Sequence, residues 1–256
     1  MIHINRLESD VVDICNLRCK HCAHFAHVYK KNQYPFDEFK NDLNVLSKVL
    51  HADSFYLCGG EPLMLGKNVE KYIACIRESG ISDKVGFITN GILLPKFERI
   101  IPTVDEIVLS VYKSRHYNSL IKWMDEKLDL YPNITVVTRN TFETIYDPNM
   151  TKEESDCSWK HCEAKKTCNF LYKGNYYKCA QSIKILDLFK HLGISEPPIQ
   201  IDKGIDLYAE NLESRLATFI NTDIKLHTCN VCRVGYIWAP GGKTEPWREL
   251  TENELV

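Results

Sequence analysis

The chain has 256 residues, of which 44% are apolar and 26% are charged, and its formal net charge is −2. These values predict an ordinary globular protein, large enough for one barrel-sized domain or for a main domain with a smaller appendage. A near-neutral chain without a basic tract lacks the cluster of positive charge that binds nucleic acid, so we expect no nucleic-acid partner. Because the sequence has no membrane-length apolar run and no secretion-signal pattern at its N-terminus, we expect a cytoplasmic protein without a membrane partner.

The first two-thirds of the chain alternates between short apolar runs typical of strands and amphipathic runs typical of helices. In the first helical run the apolar residues recur every three or four positions from Phe36 to Leu50, so they share one face. This alternation predicts an α/β fold with a parallel sheet and right-handed crossovers. Strands are expected at Ser9–Ile14, Ser54–Leu57, Lys84–Ile88, Glu106–Val111 and Ile134–Thr138, and helices at Phe36–Leu50, Lys67–Glu78, Leu93–Ile101 and Ser114–Leu128.

Three cysteines, Cys15, Cys19 and Cys22, directly follow the first predicted strand. They are one ligand short of a closed four-thiolate site, so a metal centre that they hold keeps one coordination position open. Three thiolates can each bind one iron of a cubane 4Fe–4S cluster and leave the fourth iron to a chelating ligand. The alternative is a zinc site whose fourth ligand is one of the histidines at positions 21, 24 and 27.

Two further motifs follow the second and third predicted strands. The run Gly59-Gly60-Glu61-Pro62 ends the second, and Thr89-Asn90-Gly91 ends the third. Because the active residues of parallel α/β sheets gather at the carboxyl ends of strands, we expect the three motifs to meet on one rim. Glycines, which lack a Cβ, would let the backbone approach a ligand closely there.

Together these motifs resemble those of radical S-adenosylmethionine (radical SAM) enzymes, over a stretch from about Glu8 to Asn140. The resemblance implies a partial β/α (TIM-like) barrel of parallel strands. It also implies that S-adenosylmethionine chelates the open iron and is cleaved to a 5′-deoxyadenosyl radical, which abstracts hydrogen from an unactivated carbon. In such enzymes the cofactor supplies the hard chemistry, and the protein supplies ligation and orientation.

The resemblance further assigns contacts to S-adenosylmethionine. Backbone groups around Gly59-Gly60-Glu61 would bond its amino group, and Asn90 would lie near the ribose. Ser110 on the fourth strand matches the polar residue that the family uses for the carboxylate or the ribose. His21 stands where the family usually has an aromatic residue that packs on the adenine. The carboxylate could also pair with a basic residue at a strand end, and the candidates are Lys113, Arg115 and Arg139.

Beyond about Asp147 the alternation stops and cysteines recur, so we divide the chain into residues 1–146 and residues 147–256. A predicted hairpin turning at Gly174-Asn175 would bring Cys168 and Cys179 together. With the Cys-x-x-Cys pair Cys229 and Cys232 they could close a four-thiolate site for an iron–sulfur cluster or for structural zinc. The spacing resembles the shortened auxiliary-cluster module of radical SAM enzymes, the twitch domain, which implies a second 4Fe–4S cluster.

The layout resembles the twitch-domain dehydrogenases of aminocyclitol antibiotic biosynthesis. That resemblance implies oxidation of a small hydroxylated, possibly carbohydrate substrate, with the auxiliary cluster as electron acceptor and a flavodoxin or ferredoxin as electron donor. Three alternatives stay open: redox-neutral epimerisation, radical modification of a ribosomal peptide, and a non-enzymatic cysteine-rich zinc or electron-transfer protein. Epimerisation needs a thiol as hydrogen donor, and the candidates are Cys157, Cys162 and Cys58. Residues expected to line the substrate pocket are Tyr112, Asn140, Trp159 and Trp238.

Overall fold

The computed structural model describes residues 1–28, 32–142, 145–195, 199–237, 239 and 244–254. Its main feature is a parallel sheet whose strands alternate with helices, which confirms the α/β prediction. Five strands lie side by side in chain order: β1 (Ile2–Val12), β2 (Leu50–Gly59), β3 (Ser82–Thr89), β4 (Glu106–Tyr112) and β5 (Ile134–Arg139). Helices α1 (Phe36–Leu46), α2 (Val69–Ser79) and α3 (Tyr117–Lys127) connect them.

The helix predicted over Leu93–Ile101 is wrong. That crossover consists of two short 3₁₀ segments, Leu94–Lys96 and Glu98–Thr103. Pro95 is the second residue of the first segment, and Pro102 lies inside the second, where it removes a backbone N–H that a continuing α-helix would use.

The chain after β5 extends the same sheet past β1. Its elements are β6 (Thr141–Phe142), α4 (Lys152–His161), β7 (Phe170–Tyr172), β8 (Asn175–Tyr177), α5 (Ala180–His191), β9 (Ile205–Asp206), α6 (Leu212–Asn221) and β10 (Glu245–Pro246). In the described residues the large sheet has the order β5-β4-β3-β2-β1-β7-β8-β9, and β10 pairs with β6 in a separate two-stranded sheet. Strand β7 is parallel to β1, and β8 is antiparallel to both of its neighbours, β7 and β9.

The hairpin predicted around Gly174 is confirmed by β7 and β8. Lys173 and Gly174 form its turn, and both have positive φ angles, of 43° and 78°. Helix α4 was not predicted, because its sequence is charged and carries no apolar stripe. Thr151 begins it with a capping box that includes Glu154, a signal that was present in the sequence.

The two faces of the parallel sheet have different surroundings. One face is mostly apolar and packs under the crossover helices, with Leu7, Phe55 and Phe87 wholly buried. The opposite face carries Tyr56 and Cys58, which pack with Phe170 of β7. This second face is the one that borders the candidate site. No helix among the described residues has the length and apolar character needed to cross a membrane.

Candidate active site

A cavity of about 680 Å³ lies where the parallel strands end and the later part of the chain begins. Three of the residues predicted to line a substrate pocket do line it, namely Tyr112, Asn140 and Trp159, while Trp238 lies outside the described residues. Both cysteine sets border this one cavity, with Cys15, Cys19 and Cys22 from the first and Cys168, Cys179, Cys229 and Cys232 from the second.

The three sequence motifs meet on one rim, as predicted. The amide Nδ2 of Asn90 donates to Cys15 Sγ at 3.5 Å, which places the third motif against the first. The second motif is joined to the first through the backbone, because Gly60 N donates to Val12 O at 2.7 Å and Glu61 N donates to Ile14 O at 3.0 Å. The loop with the three cysteines is therefore fixed by the ends of β2 and β3.

The glycines of the second motif are required by the backbone of β1 and the residues after it. A Cβ on Gly59 would lie 2.0 Å from Val12 O, and one on Gly60 would lie 2.0 Å from Ile14 O. Both glycines also line the cavity, so the close approach to a ligand expected from the sequence stays a prediction. A ligand's ammonium group only donates hydrogen bonds, so the backbone groups that this loop can offer to it are carbonyl oxygens.

Glu61 organises the rim rather than lining the cavity. Its carboxylate is fully buried and accepts hydrogen bonds from Thr89 Oγ1 at 2.7 Å, Asn90 N at 2.8 Å and Leu63 N at 3.1 Å. Burial raises the pKa of Glu61 to about 7, although these three donors favour the ionised form. The side chain therefore holds Asn90 in position beside Cys15.

The first cysteine set fits an iron–sulfur cluster by its chemistry. Burial raises the pKa of Cys15 and Cys22, and it raises the pKa of Cys19 to about 12. Without metal these thiols stay protonated, whereas a coordinating metal ionises a thiol outright. Among the described residues no three His, Cys, Asp or Glu side chains converge as the ligands of one metal ion would. The ligands of a cubane are not required to converge in this way, because each binds a different iron.

The second cysteine set is also largely buried, and its members line the same cavity. Burial raises the pKa of Cys179 to about 11 and that of Cys229 to about 12, and the neighbouring thiols add to both effects. A fifth cysteine, Cys162, belongs to this group, since it lines the cavity and also raises the pKa of Cys168. Cys157 does not line the cavity, and its Sγ lies 3.7 Å from His161 Nδ1 on the same helix, α4.

Of three further residues predicted to contact S-adenosylmethionine, two line the cavity and one does not. Ser110 on β4 is buried, Arg139 at the end of β5 is exposed, and both line the cavity. His21 is not among the lining residues, and its Nε2 lies 3.4 Å from a carboxylate oxygen of Glu245. Ser110 and Arg139 therefore lie at the cavity and their contacts with the cofactor stay a prediction, while His21 contacts the segment around β10.

A buried charge network beneath the first cysteine loop was missed from the sequence. Lys184 of α5 pairs with Asp10 at the end of β1 and with Asp13 at 2.5 Å, and His24 Nδ1 pairs with Asp10 at 3.0 Å. Burial alone would raise the pKa of Asp10, but His24 and Lys184 outweigh it and lower that pKa to about 2. Asp10 and Lys184 are 174 residues apart in the chain, so no local pattern marks the pair.

Glu8 is a second functional candidate that the sequence did not reveal. It lies on β1 next to Phe170 of β7 and lines the cavity. Its carboxylate pairs with Arg6 Nε at 2.5 Å and accepts from the thiol of Cys58 at 3.7 Å. Arg6, Glu8 and Asp10 lie on the same face of the strand, because side chains two residues apart point the same way. This spacing of charged residues was the feature of the sequence that could have revealed Glu8.

Comparison with known proteins identifies the first part of the chain. Residues 10–114 match the model of the Radical SAM superfamily, so the chain carries a radical SAM domain. Two similar curated proteins are the GTP 3′,8-cyclases of Alkaliphilus oremlandii, 31% identical over 96 residues, and of Staphylococcus carnosus, 34% identical over 101 residues. These alignments cover 37% and 36% of this chain but only 30% and 29% of the relatives, so the chain spans less than a third of their length.

A solved structure extends the likeness to most of the chain. The crystal structure of BtrN in complex with AdoMet and 2-DOIA covers 90% of this chain and 92% of its own, with a TM-score of 0.53. At 14% identity this likeness concerns the fold. The family implies S-adenosylmethionine and one 4Fe–4S cluster, and the buried thiols of Cys15, Cys19 and Cys22 beside the cavity are the residues suited to hold them.

Proposed function

We propose that the protein is a radical SAM oxidoreductase that removes two electrons from a small hydroxylated substrate, similar to a sugar or an aminocyclitol. The observation that carries this proposal is the one cavity bordered by both cysteine sets. Cys15, Cys19 and Cys22 would hold the cluster that binds S-adenosylmethionine. An auxiliary 4Fe–4S cluster would be held by Cys168, Cys179, Cys229 and Cys232, with flavodoxin or ferredoxin as the external electron donor.

When bound, S-adenosylmethionine and its cluster supply a 5′-deoxyadenosyl radical that takes a hydrogen atom from the substrate, and the auxiliary cluster supplies an acceptor for the second electron. The chain itself must then accept the proton that an alcohol loses as it becomes a carbonyl. Glu8 is suited to this role, because it lines the cavity and its Oε2 accepts from a weak donor, the Cys58 thiol at 3.7 Å.

The fold likeness to BtrN supports the choice of substrate class. That protein was solved with 2-DOIA and AdoMet bound together, and its fold matches 90% of this chain. The likeness to GTP 3′,8-cyclases supports only the radical SAM part, because less than a third of those proteins is matched.

A second candidate function is redox-neutral epimerisation. The observation that favours it is the presence of two thiols in the cavity outside the proposed ligand sets, those of Cys58 and Cys162. Either could return a hydrogen atom to a substrate carbon. Cys157, which does not line the cavity, is poorly placed for this role.

Product analysis in heavy water separates the two reactions. The anaerobically reconstituted protein is incubated with S-adenosylmethionine and a panel of sugars and aminocyclitols, and product mass and 5′-deoxyadenosine are measured. We expect a carbonyl product, two hydrogens lighter than the substrate, and one 5′-deoxyadenosine per product. An isomeric product that carries one solvent deuterium, and that disappears when Cys58 or Cys162 is changed to Ala, would contradict oxidation and establish epimerisation.

A further inference from the structure

Residues 245–250, here called the strap, lie along the outer side of the first cysteine loop. Strand β10 starts the strap and pairs with β6, which follows β5. The backbone of the strap then runs beside the loop: Lys20 N donates to Arg248 O at 3.1 Å, and Leu250 N donates to Arg18 O at 2.7 Å. Between these two bonds Cys19 forms an isolated antiparallel bridge with Glu249. The strap is therefore hydrogen-bonded to the loop on both sides of Cys19.

Charged side chains hold the strap in this position. Glu245 binds Lys20 Nζ at 2.7 Å and lies 3.4 Å from His21 Nε2, so it contacts two consecutive residues of the loop. Arg248 makes a bidentate pair with Glu254, at 2.6 Å and 2.7 Å, which fixes the chain just beyond the strap.

The side chain of Trp247, in the middle of the strap, contacts one of the proposed cluster ligands. Its indole Nε1 donates to Cys19 Sγ at 3.4 Å, and its backbone N donates to Asn140 O at 2.9 Å. Its ring lies against Tyr112, which lines the cavity, with ring centroids 5.5 Å apart. Cys19 is the most deeply covered of the three cysteines, with 8% of its surface exposed.

The reduction potential of an iron–sulfur cluster depends on hydrogen bonds to its sulfurs and on its exposure to solvent. An N–H that points at a ligand sulfur stabilises the added negative charge of the reduced cluster and so raises the potential. We propose that the strap is a positioning element of the radical cluster, and that the Trp247 N–H bond to Cys19 Sγ raises the cluster's midpoint potential. This inference rests on the proposed function, because it requires a cluster at Cys15, Cys19 and Cys22.

The test is Trp247→Phe, which keeps an aromatic ring and removes the N–H donor. The matched control is Trp123→Phe on α3. The indole of Trp123 donates to Glu98 at 2.7 Å, and this residue does not line the cavity. The midpoint potential of the cluster is measured by anaerobic redox titration of the reconstituted proteins. The radical cluster is identified as the one whose spectroscopic signal changes when S-adenosylmethionine is added. We expect a more negative midpoint in Trp247→Phe and an unchanged midpoint in Trp123→Phe.

Equal midpoints in Trp247→Phe and the wild type would overturn the inference and leave the proposed function standing. A wild-type protein in which no cluster responds to S-adenosylmethionine would overturn the proposed function itself. If Trp247→Phe does not retain its cluster, the positioning role is tested on the metal-free proteins instead. The rate at which Cys19 is alkylated is then measured by peptide mass spectrometry. Faster alkylation in Trp247→Phe than in Trp123→Phe supports the positioning role, and equal rates exclude it.

Discussion

Lys184 is the residue that connects the two cysteine sets most directly. It lies on α5, five positions after Cys179, and its ammonium is buried against Asp10 and Asp13 near the start of the first cysteine loop. Only 1% of its side chain is exposed. A charge in such a place is tolerated because it is paired and hydrogen-bonded. The pair therefore fixes α5 against the end of β1.

Changing Lys184 to Met should lower the free energy of unfolding by about 3–5 kcal/mol, because the buried carboxylates of Asp10 and Asp13 both lose the ammonium group, and His24 still pairs with Asp10. Denaturant unfolding of the metal-free protein under reducing conditions measures this loss. Lys166→Met is the matched control, since Lys166 makes an exposed pair with Glu163 at 2.7 Å and such pairs contribute at most about 1 kcal/mol. Equal losses in the two variants would show that the buried network does not stabilise the fold.

At the scale of elements, the β7–β8 hairpin sets the geometry of the second cysteine set. Phe170 pairs with Tyr177 across the hairpin, and Cys168 and Cys179 each lie two residues outside that pair. The antiparallel register therefore brings the two thiols to the same end of the hairpin. Cys229 lies in the 3₁₀ segment His227–Val231, and Cys232 directly follows it. The hydroxyls of Ser155 and Ser158 on α4 donate to the backbone carbonyls of Cys229 and Cys232, respectively.

Iron content tests whether these elements build a cluster site. Two cubane clusters require about eight irons per chain, and changing Cys168, Cys179, Cys229 and Cys232 together to Ala should leave about four. Cys162→Ala is the control, because Cys162 lies in the same group but outside the proposed ligand set, and it should retain about eight irons. About four irons with one bound zinc in the wild type would replace the auxiliary cluster by structural zinc.

Elements with strong local signals could be predicted from the sequence, and those that depend on distant partners could not. The hairpin could be predicted from Gly174, and the rim could be predicted from the three motifs that follow the strands. Both predictions rest on residues that are close together in the sequence. The first half of β1 was missed, since polar residues such as His3 and Arg6 conceal a strand that pairing with β2 supports. The strap and the Lys184 network were missed because each joins residues far apart in the chain.

At the scale of the whole molecule, β7 lies next to β1, and this neighbourhood places the two cysteine sets around one cavity. The radical SAM domain supplies the rim with Cys15, Cys19 and Cys22, and the later part of the chain supplies the opposing thiols. Glu8, which we propose accepts the proton from the substrate, lies at the β1–β7 junction and lines this cavity. The central claim is that this cavity hosts radical chemistry.

Cleavage of S-adenosylmethionine tests that claim most directly. The anaerobically reconstituted and reduced protein should convert S-adenosylmethionine to 5′-deoxyadenosine, measured by chromatography. The variant with Cys15, Cys19 and Cys22 all changed to Ala should form none, because each change removes an iron's only protein ligand. Cys75→Ala, on α2 and outside the cavity, should cleave at the wild-type rate. Wild-type cleavage by the triple variant, or no cleavage by the wild type, would contradict the account.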